Sequence, residues 1–200
     1  MKKLFLLVSL AALMYGTIFI LQSVYFSLFE LHQAVVQGNL DEVKKRADLD
    51  SFTRGLLDIR QAQMKVIAKD KAGELGEGLF AGLASIVRNP LEKELLPEMK
   101  AQIESEIAGG RLLENLGPFE LGAGLLVFGG TEQDGHKQIV HIHGACAGEP
   151  ATISVVFVPA RNERWGGFLK TYRASGLLKS SIGPFVEACY AGEKKSSPKG

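Results

Sequence analysis

The chain has 200 residues, of which 46% are hydrophobic and 22% charged, with 23 Gly and two Cys. That length suits one domain with a short appendage, and the composition is too apolar for a disordered chain and too poor in Cys for a disulfide-built scaffold. With 23 Lys and Arg against 22 Asp and Glu the formal charge is +1, which argues against nucleic acid as a partner.

Lys2 and Lys3 precede an apolar run from Leu4 to Leu21, interrupted by Ser9, Gly16 and Thr17, and the first acid is Glu30. Eighteen residues at 1.5 Å each cover about 27 Å, close to the roughly 30 Å of a bilayer's hydrocarbon core. A cleaved signal peptide needs a shorter apolar stretch and a small-x-small cleavage site. The exit from this run, Phe19-Ile20-Leu21-Gln22-Ser23-Val24-Tyr25, has no Ala-x-Ala. The favoured expectation is therefore a transmembrane anchor within residues 1–23, with a cleaved signal segment or a buried core helix as the alternatives. The two lysines place the N-terminus in the cytoplasm and the bulk of the chain outside the inner membrane, in the periplasm. No Cys lies near the end of the run, so a lipoprotein anchor is excluded. Without Lys2 and Lys3 the remainder carries a net charge of −1, so no polybasic lipid patch is expected.

Residues 24–192 are expected to form one α+β domain, helical over 24–116 and sheet over 122–175, followed by a disordered tail at 193–200. Tyr25, Leu28, Phe29, Leu31, Val35 and Val36 recur mostly on one face of a helix over 24–37, which Gly38 ends. Asn39, with Glu42 three residues on, caps a short helix from Leu40 to about Arg46. Asp48-Leu49-Asp50-Ser51 caps another, running from near Phe52 towards Lys71.

This opening resembles a bacterial family of membrane-anchored proteins of unknown function. The pattern is an aromatic-led helix from Tyr25, a Gly-Asn/Asp turn and short helix at Gln37-Gly38-Asn39-Leu40-Asp41-Glu42-Val43, then a Val-Asp-Phe-like segment before the next helix. Here Ala47-Asp48-Leu49 stands where that family has Val-Asp-Phe. The resemblance implies an extracytoplasmic, membrane-anchored protein and no chemistry.

Residues 73–88 hold Gly73, Gly76, Gly78 and Gly82, each weakening a helix by about 1 kcal/mol relative to Ala. They are expected to form a surface or packing segment; Gly78-x-x-x-Gly82 matches a membrane-helix packing motif, but the adjoining apolar piece is too short to span. Asn89-Pro90-Leu91-Glu92 reads as a helix start, the helix stopping at Gly109-Gly110 and kinked or split at Pro97. Its alternating Glu and Lys read as a solvated face.

Beyond Gly117-Pro118 the period falls to two. Strands are expected at 124–128, 138–143, 151–158 and 164–173, joined by short links as a four-stranded antiparallel meander, with the helices packed on the sheet. Trp165, with a Gly after Ala174-Ser175, resembles the last strand of cystatin-like or nuclear-transport-factor-like folds. In those folds a long helix packs into a curved sheet, which implies that a cone-shaped pocket is possible. A last helix is expected at 182–190.

His141 and His143 share one face of a strand, with Val140 and Ile142 on the other. With His136 and Cys146 nearby they invite a metal reading, yet no third ligand stands at a typical spacing, so no metal and no cofactor is assigned. Cys146 and Cys189 are an eligible disulfide in an oxidising compartment, with two free thiols as the alternative. Asp48 and Asp50 read as caps. Arg161, Arg164 and Arg173 with Trp165 and Tyr172 form a basic-aromatic set suited to a ligand or partner. No phosphate-loop, dinucleotide or Gly-x-Ser-x-Gly signature is present, and no catalytic residue is assigned. The function expected is a membrane-anchored, extracytoplasmic binding or structural module for a small apolar molecule, lipid or envelope protein. Its candidate ligand residues are His141, His143, Trp165, Tyr172 and Arg173. The alternatives are an enzyme using His141 or His143 as acid/base, and a metal-handling protein.

Overall fold

The computed structural model describes residues 23–112, 119–121, 128–146, 148–161 and 170–196. The apolar run over 4–21, Trp165 and Arg164 lie outside them. Among the described residues, no helix is long and apolar enough to cross a membrane.

Helix α1 spans Val24–Val36 and starts at Ser23, whose extended backbone and hydroxyl, accepting from the Phe26 N–H at 3.1 Å, cap its first turn. It ends as the sequence expects. The Gly38 N–H donates to Val35 and the Asn39 N–H to Ala34, with Gly38 at φ 66°, a left-handed cap that satisfies two terminal carbonyls. A side chain at Gly38 would also stand 3.0 Å from the Ala108 carbonyl, so the turn is pressed against a neighbouring helix end. Helix α2, Leu40–Arg46, starts on the Asn39 carboxamide, which accepts from the Glu42 N–H at 3.2 Å.

Helix α3, Leu49–Ala108, begins at Asp48, whose carboxylate accepts from the Ser51 N–H and hydroxyl. It differs from the expectation over 73–90. Gly73, at φ 62° and ψ −152°, is where its conformation departs from helical, and the helix then runs on through Asn89, Pro90 and Pro97. Asn89 and Pro90 are thus interior and not a helix start, and Pro97 does not split the helix. Gly73 alone supplies the reversal, in a region of φ and ψ open in practice to glycine. Two arms result, and they meet near their far ends, where Lys100 pairs with Asp50 at 2.7 Å and Leu96 and Pro97 face Thr53 and Arg54 across a cleft. The second arm ends beside α2, where Glu104 pairs with Lys44 at 3.1 Å.

The fold is α+β, with an antiparallel sheet four strands wide. Strands β3 (Lys137–Cys146), β4 (Glu149–Arg161) and β5 (Lys170–Leu177) follow in order. The outer edge of β3 is shared by β2 (Phe128–Asp134), paired along its first half, and β1 (Phe119–Leu121), paired with Gly144–Cys146. Strands β2 to β5 make the expected meander. The expected strand segments 124–127 and 164–169 lie outside the described residues. From Phe128 on, a register shift takes up Gly129-Gly130 and leaves Thr131–Asp134 to pair with β3. Strand β5 extends past Arg173 to Leu177 because Ala174, fully buried, pairs with Phe157.

The helices cover one face of this sheet. Val140, Val155, Phe157 and Ala174 project into a core with Val24, Ala34, Val43 and Ile107 from the helices. Phe157 is 0% exposed, a burial worth about 1.5–3 kcal/mol. The free edge of β5 is covered as well: its Tyr172 N–H donates to the Ser27 hydroxyl at 3.1 Å, and its Ala174 carbonyl accepts from the Asp48 N–H at 2.8 Å.

Helix α4, Lys179–Ser196, starts earlier and ends later than expected. Its start is fixed to β4, with the Leu178 N–H donating to the Ser154 carbonyl and the Ser181 hydroxyl accepting from the Ser154 N–H. It runs to Ser196, and near its end Lys194 pairs with Asp70 at 2.7 Å and Lys195 with Glu149 at 2.8 Å. Residues 197–200 lie outside the described set. Between these points Ile182, Phe185 and Val186 pack with Ile59, Ala62 and Val66 of α3.

Candidate functional site

Cys146 and Cys189 form a disulfide with Cα atoms 4.7 Å apart. The end of β3 is thereby tied to the middle of α4. The thiolate that could have joined His141 and His143 as a metal ligand is consumed. Among the described residues no three His, Cys, Asp or Glu side chains are placed to hold a metal.

The two histidines lie on the sheet face opposite the helices, as strand alternation requires. Each meets a hydroxyl directly across on β4. His141 Nδ1 shares a hydrogen bond with Ser154 Oγ at 2.9 Å, and His143 Nδ1 with Thr152 Oγ1 at 2.7 Å. These are cross-strand pairs, and they spend one nitrogen of each ring on the sheet itself. His141 Nε2 stands 4.0 Å from Glu132 Oε2 on β2, beyond hydrogen-bond reach. Ser154 is 3% exposed, so its hydroxyl is closed to a substrate as a nucleophile.

The expected ligand set is not brought together. Tyr172 is half-buried on the helix side, packed against the core. Arg173 sits at the far edge of the sheet, and its guanidinium donates to the Lys44 and Ala47 carbonyls at 3.2 Å each, capping the end of α2. It also faces Asp48. Partial burial pushes the Asp48 carboxyl up, but the Ser51 N–H, the Ser51 hydroxyl and the Arg173 charge outweigh it and hold the group below its ordinary value. Trp165 lies outside the described residues. The space between sheet and helices, where a cone-shaped pocket would open, is filled by Phe157, Val140, Ile107 and Val43.

A cleft of about 290 Å³ lies elsewhere, between the two arms of α3. Asp50, Thr53 and Arg54 line one wall and Leu96, Pro97 and Lys100 the other. Thr53 Oγ1 donates to the Leu49 carbonyl at 2.7 Å. The Asp50 carboxylate accepts from Lys100 Nζ and holds that ammonium above its ordinary value. Leu96 and Pro97 give the cleft an apolar wall, and Arg54 leaves a cation beside it. Sequence reading reached Asp50 as a cap and Lys100 as part of a solvated face, and missed their meeting. No local sequence signal marks that meeting, which follows from the reversal at Gly73.

No family model, no curated protein and no solved structure matches the chain.

Proposed function

We propose that this chain is a single-pass inner-membrane protein, anchored through residues 4–21, whose extracytoplasmic α+β domain is a binding module for a small amphiphilic molecule, lipid or envelope protein. One observation carries the reading. The Cys146–Cys189 disulfide locks the last helix to the sheet, and such bonds persist in oxidising compartments and are rare in the cytosol. The apolar run supports the anchor, and the resemblance to membrane-anchored bacterial proteins agrees with it. The cleft between the arms of α3 is the ligand face, because it sets a cation and an ion pair beside apolar carbon, the mixture that small-molecule sites use to orient a largely apolar ligand.

Protease treatment of spheroplasts tests the placement. Digestion of the domain from outside, with both thiols blocked to alkylation until a reductant is added, is the expected result. Protection from outside, with both thiols alkylated directly, would overturn it. Native mass spectrometry of the chain released from its own membranes tests the binding. A small molecule held by the wild type and lost in Arg54→Glu is expected; identical bare spectra would remove the ligand reading.

A second reading, an enzyme using His141 as acid/base, has one observation in its favour: the ring stands between Ser154 Oγ and Glu132. Since Ser154 is buried, the imidazole and not the hydroxyl would have to act. Turnover by the wild type that His141→Asn abolishes and Ser154→Ala retains would establish it.

A further inference from the structure

The buried side of α1 is clear: Val24, Ser27 and Ala34 are covered, and Leu28, Leu31 and Val35 pack against the core. Its exposed side is not polar. Tyr25 is 37% exposed, Phe29 56% and Val36 49%, and His32 is exposed between them. At 3.6 residues per turn these four positions fall within about 60° of arc, a single stripe running the length of the helix. The helix carries one charge, Glu30, which turns aside to pair with Arg46 of α2. Phe29 and Val36 are its most exposed large apolar side chains, and an exposed apolar stripe marks an interaction surface.

Two further facts say which partner. The stripe begins next to the apolar run. From Leu21 to Val24 there are three residues, a reach of at most about 11 Å of extended chain. The headgroup layer on each side of a bilayer is about 5–8 Å deep. If the run spans, α1 therefore starts within or just beyond that layer. Moreover, α1 has an N-cap of its own just past the run: Ser23 has φ −78° and ψ 150°, an extended residue at which the helix begins. An orientation of α1 along the surface is therefore open to it. Tyr and Phe are suited to that depth, where an amphipathic ring meets both headgroup and acyl chain.

We infer that the Tyr25–Phe29–His32–Val36 stripe of α1 lies in the lipid interface, seating the domain against the bilayer. The contact is apolar, so it needs no anionic lipid. It also fixes which side of the domain faces away: α1 covers the β5 edge of the sheet, so β2, at the opposite edge, points from the membrane.

This rests on the anchor proposed above, and the test separates the two. The full chain is reconstituted in phosphatidylcholine vesicles with and without bromine-labelled acyl chains, as three single variants, Phe29→Trp, Val36→Trp and Thr131→Trp. The wild type, whose one tryptophan is Trp165, serves as blank. Thr131 is exposed on β2. Carbonate extraction of the same vesicles reports the anchor independently. The expected result is a carbonate-resistant chain in which bromine quenches the tryptophans at 29 and 36 and spares the one at 131. A carbonate-resistant chain with no quenching at 29 or 36 overturns the surface contact and leaves the anchor standing. Equal quenching at all three positions overturns the stripe as the contact. Tryptophan at 29 shielded from aqueous acrylamide but untouched by bromine shows that a protein surface covers the stripe, and also overturns it. Release by carbonate removes anchor and contact together.

Discussion

Gly55 of α3 and Leu177 of β5 approach so closely that a β-carbon on the glycine would stand 3.0 Å from the leucine side chain. A turn away, Gly176 faces Ser51, and a β-carbon there would stand 3.2 Å from the serine's. The first arm of α3 can therefore cross β5 in close contact because both elements present glycine where they meet. At Gly176 the backbone adds its own demand, with φ at 135°.

Gly176→Ala should lower stability by about 1–3 kcal/mol, through strain at a positive φ together with the Ser51 contact. Gly55→Val should cost a similar amount by overpacking against Leu177, about 1–3 kcal/mol. Gly183→Ala, inside α4, should instead stay within about 0.5 kcal/mol of wild type, since the gain in helix propensity is opposed by the ring of Pro184 that follows it. Urea midpoints of the three variants check the contrast.

Replacing Cys146 and Cys189 together by serine should cost about 4 kcal/mol, the loop-closure value for a separation of 43 residues. Reduced wild type should unfold at the midpoint of the double variant. The order in α4 beyond Cys189, read by protease cleavage near Lys194, should fall with it.

His141 and His143 should part company on substitution. His141→Ala leaves the buried Ser154 hydroxyl without its imidazole partner and should cost about 1–3 kcal/mol. His143 is exposed, as is its pairing with Thr152, and His143→Ala should fall within about 0.5 kcal/mol of wild type. Equal effects in denaturant titrations would show that the buried hydroxyl does not set the difference.

The acid side of the stability curve should reflect Asp48. Its carboxyl titrates below the ordinary 3.8 in the folded chain. Its contribution is thus complete above the unfolded value and drains away as pH falls through the lowered one. Asp70, held low by Lys194 and Tyr190, acts in the same direction. Lys100 and Lys194 are raised, so their share is lost only as pH climbs above the ordinary 10.5. Asp48→Asn should flatten the decline as pH falls below the ordinary 3.8, seen in urea midpoints on the acid side.

What the sequence could tell follows from how local each signal is. Asn39 with Glu42, Asp48 with Ser51 and Gly38 announce helix ends within four residues, and α1 ends and α2 begins where Gly38 and Asn39 place them. The alternation around Val140 and His141 likewise assigns the two faces of β3. The reversal in α3 had no such marker. Gly73, Gly76, Gly78 and Gly82 look alike along the chain, and nothing in their immediate neighbours marks Gly73 as the one that bends. Pro90 looked like a beginning because proline favours a first turn, while a long helix can carry it inside. The end of strand β5 is hidden for a related reason: Ala174 and Gly176 carry little β propensity, and the burial against Phe157 and Ser51 that makes them a strand is a property of distant partners. The cleft was hidden for the same cause, since its two walls are more than forty residues apart.

Everything in α3 that makes a hairpin depends on one peptide unit. Were residue 73 to take ordinary helical angles, the sixty residues from Leu49 to Ala108 would become a single rod of about 90 Å. Lys100 could then reach an Asp50 only on another molecule, and a reciprocal exchange of arms between two copies would restore every contact at the base. The left-handed glycine thus decides whether the same set of contacts closes within one chain or joins two.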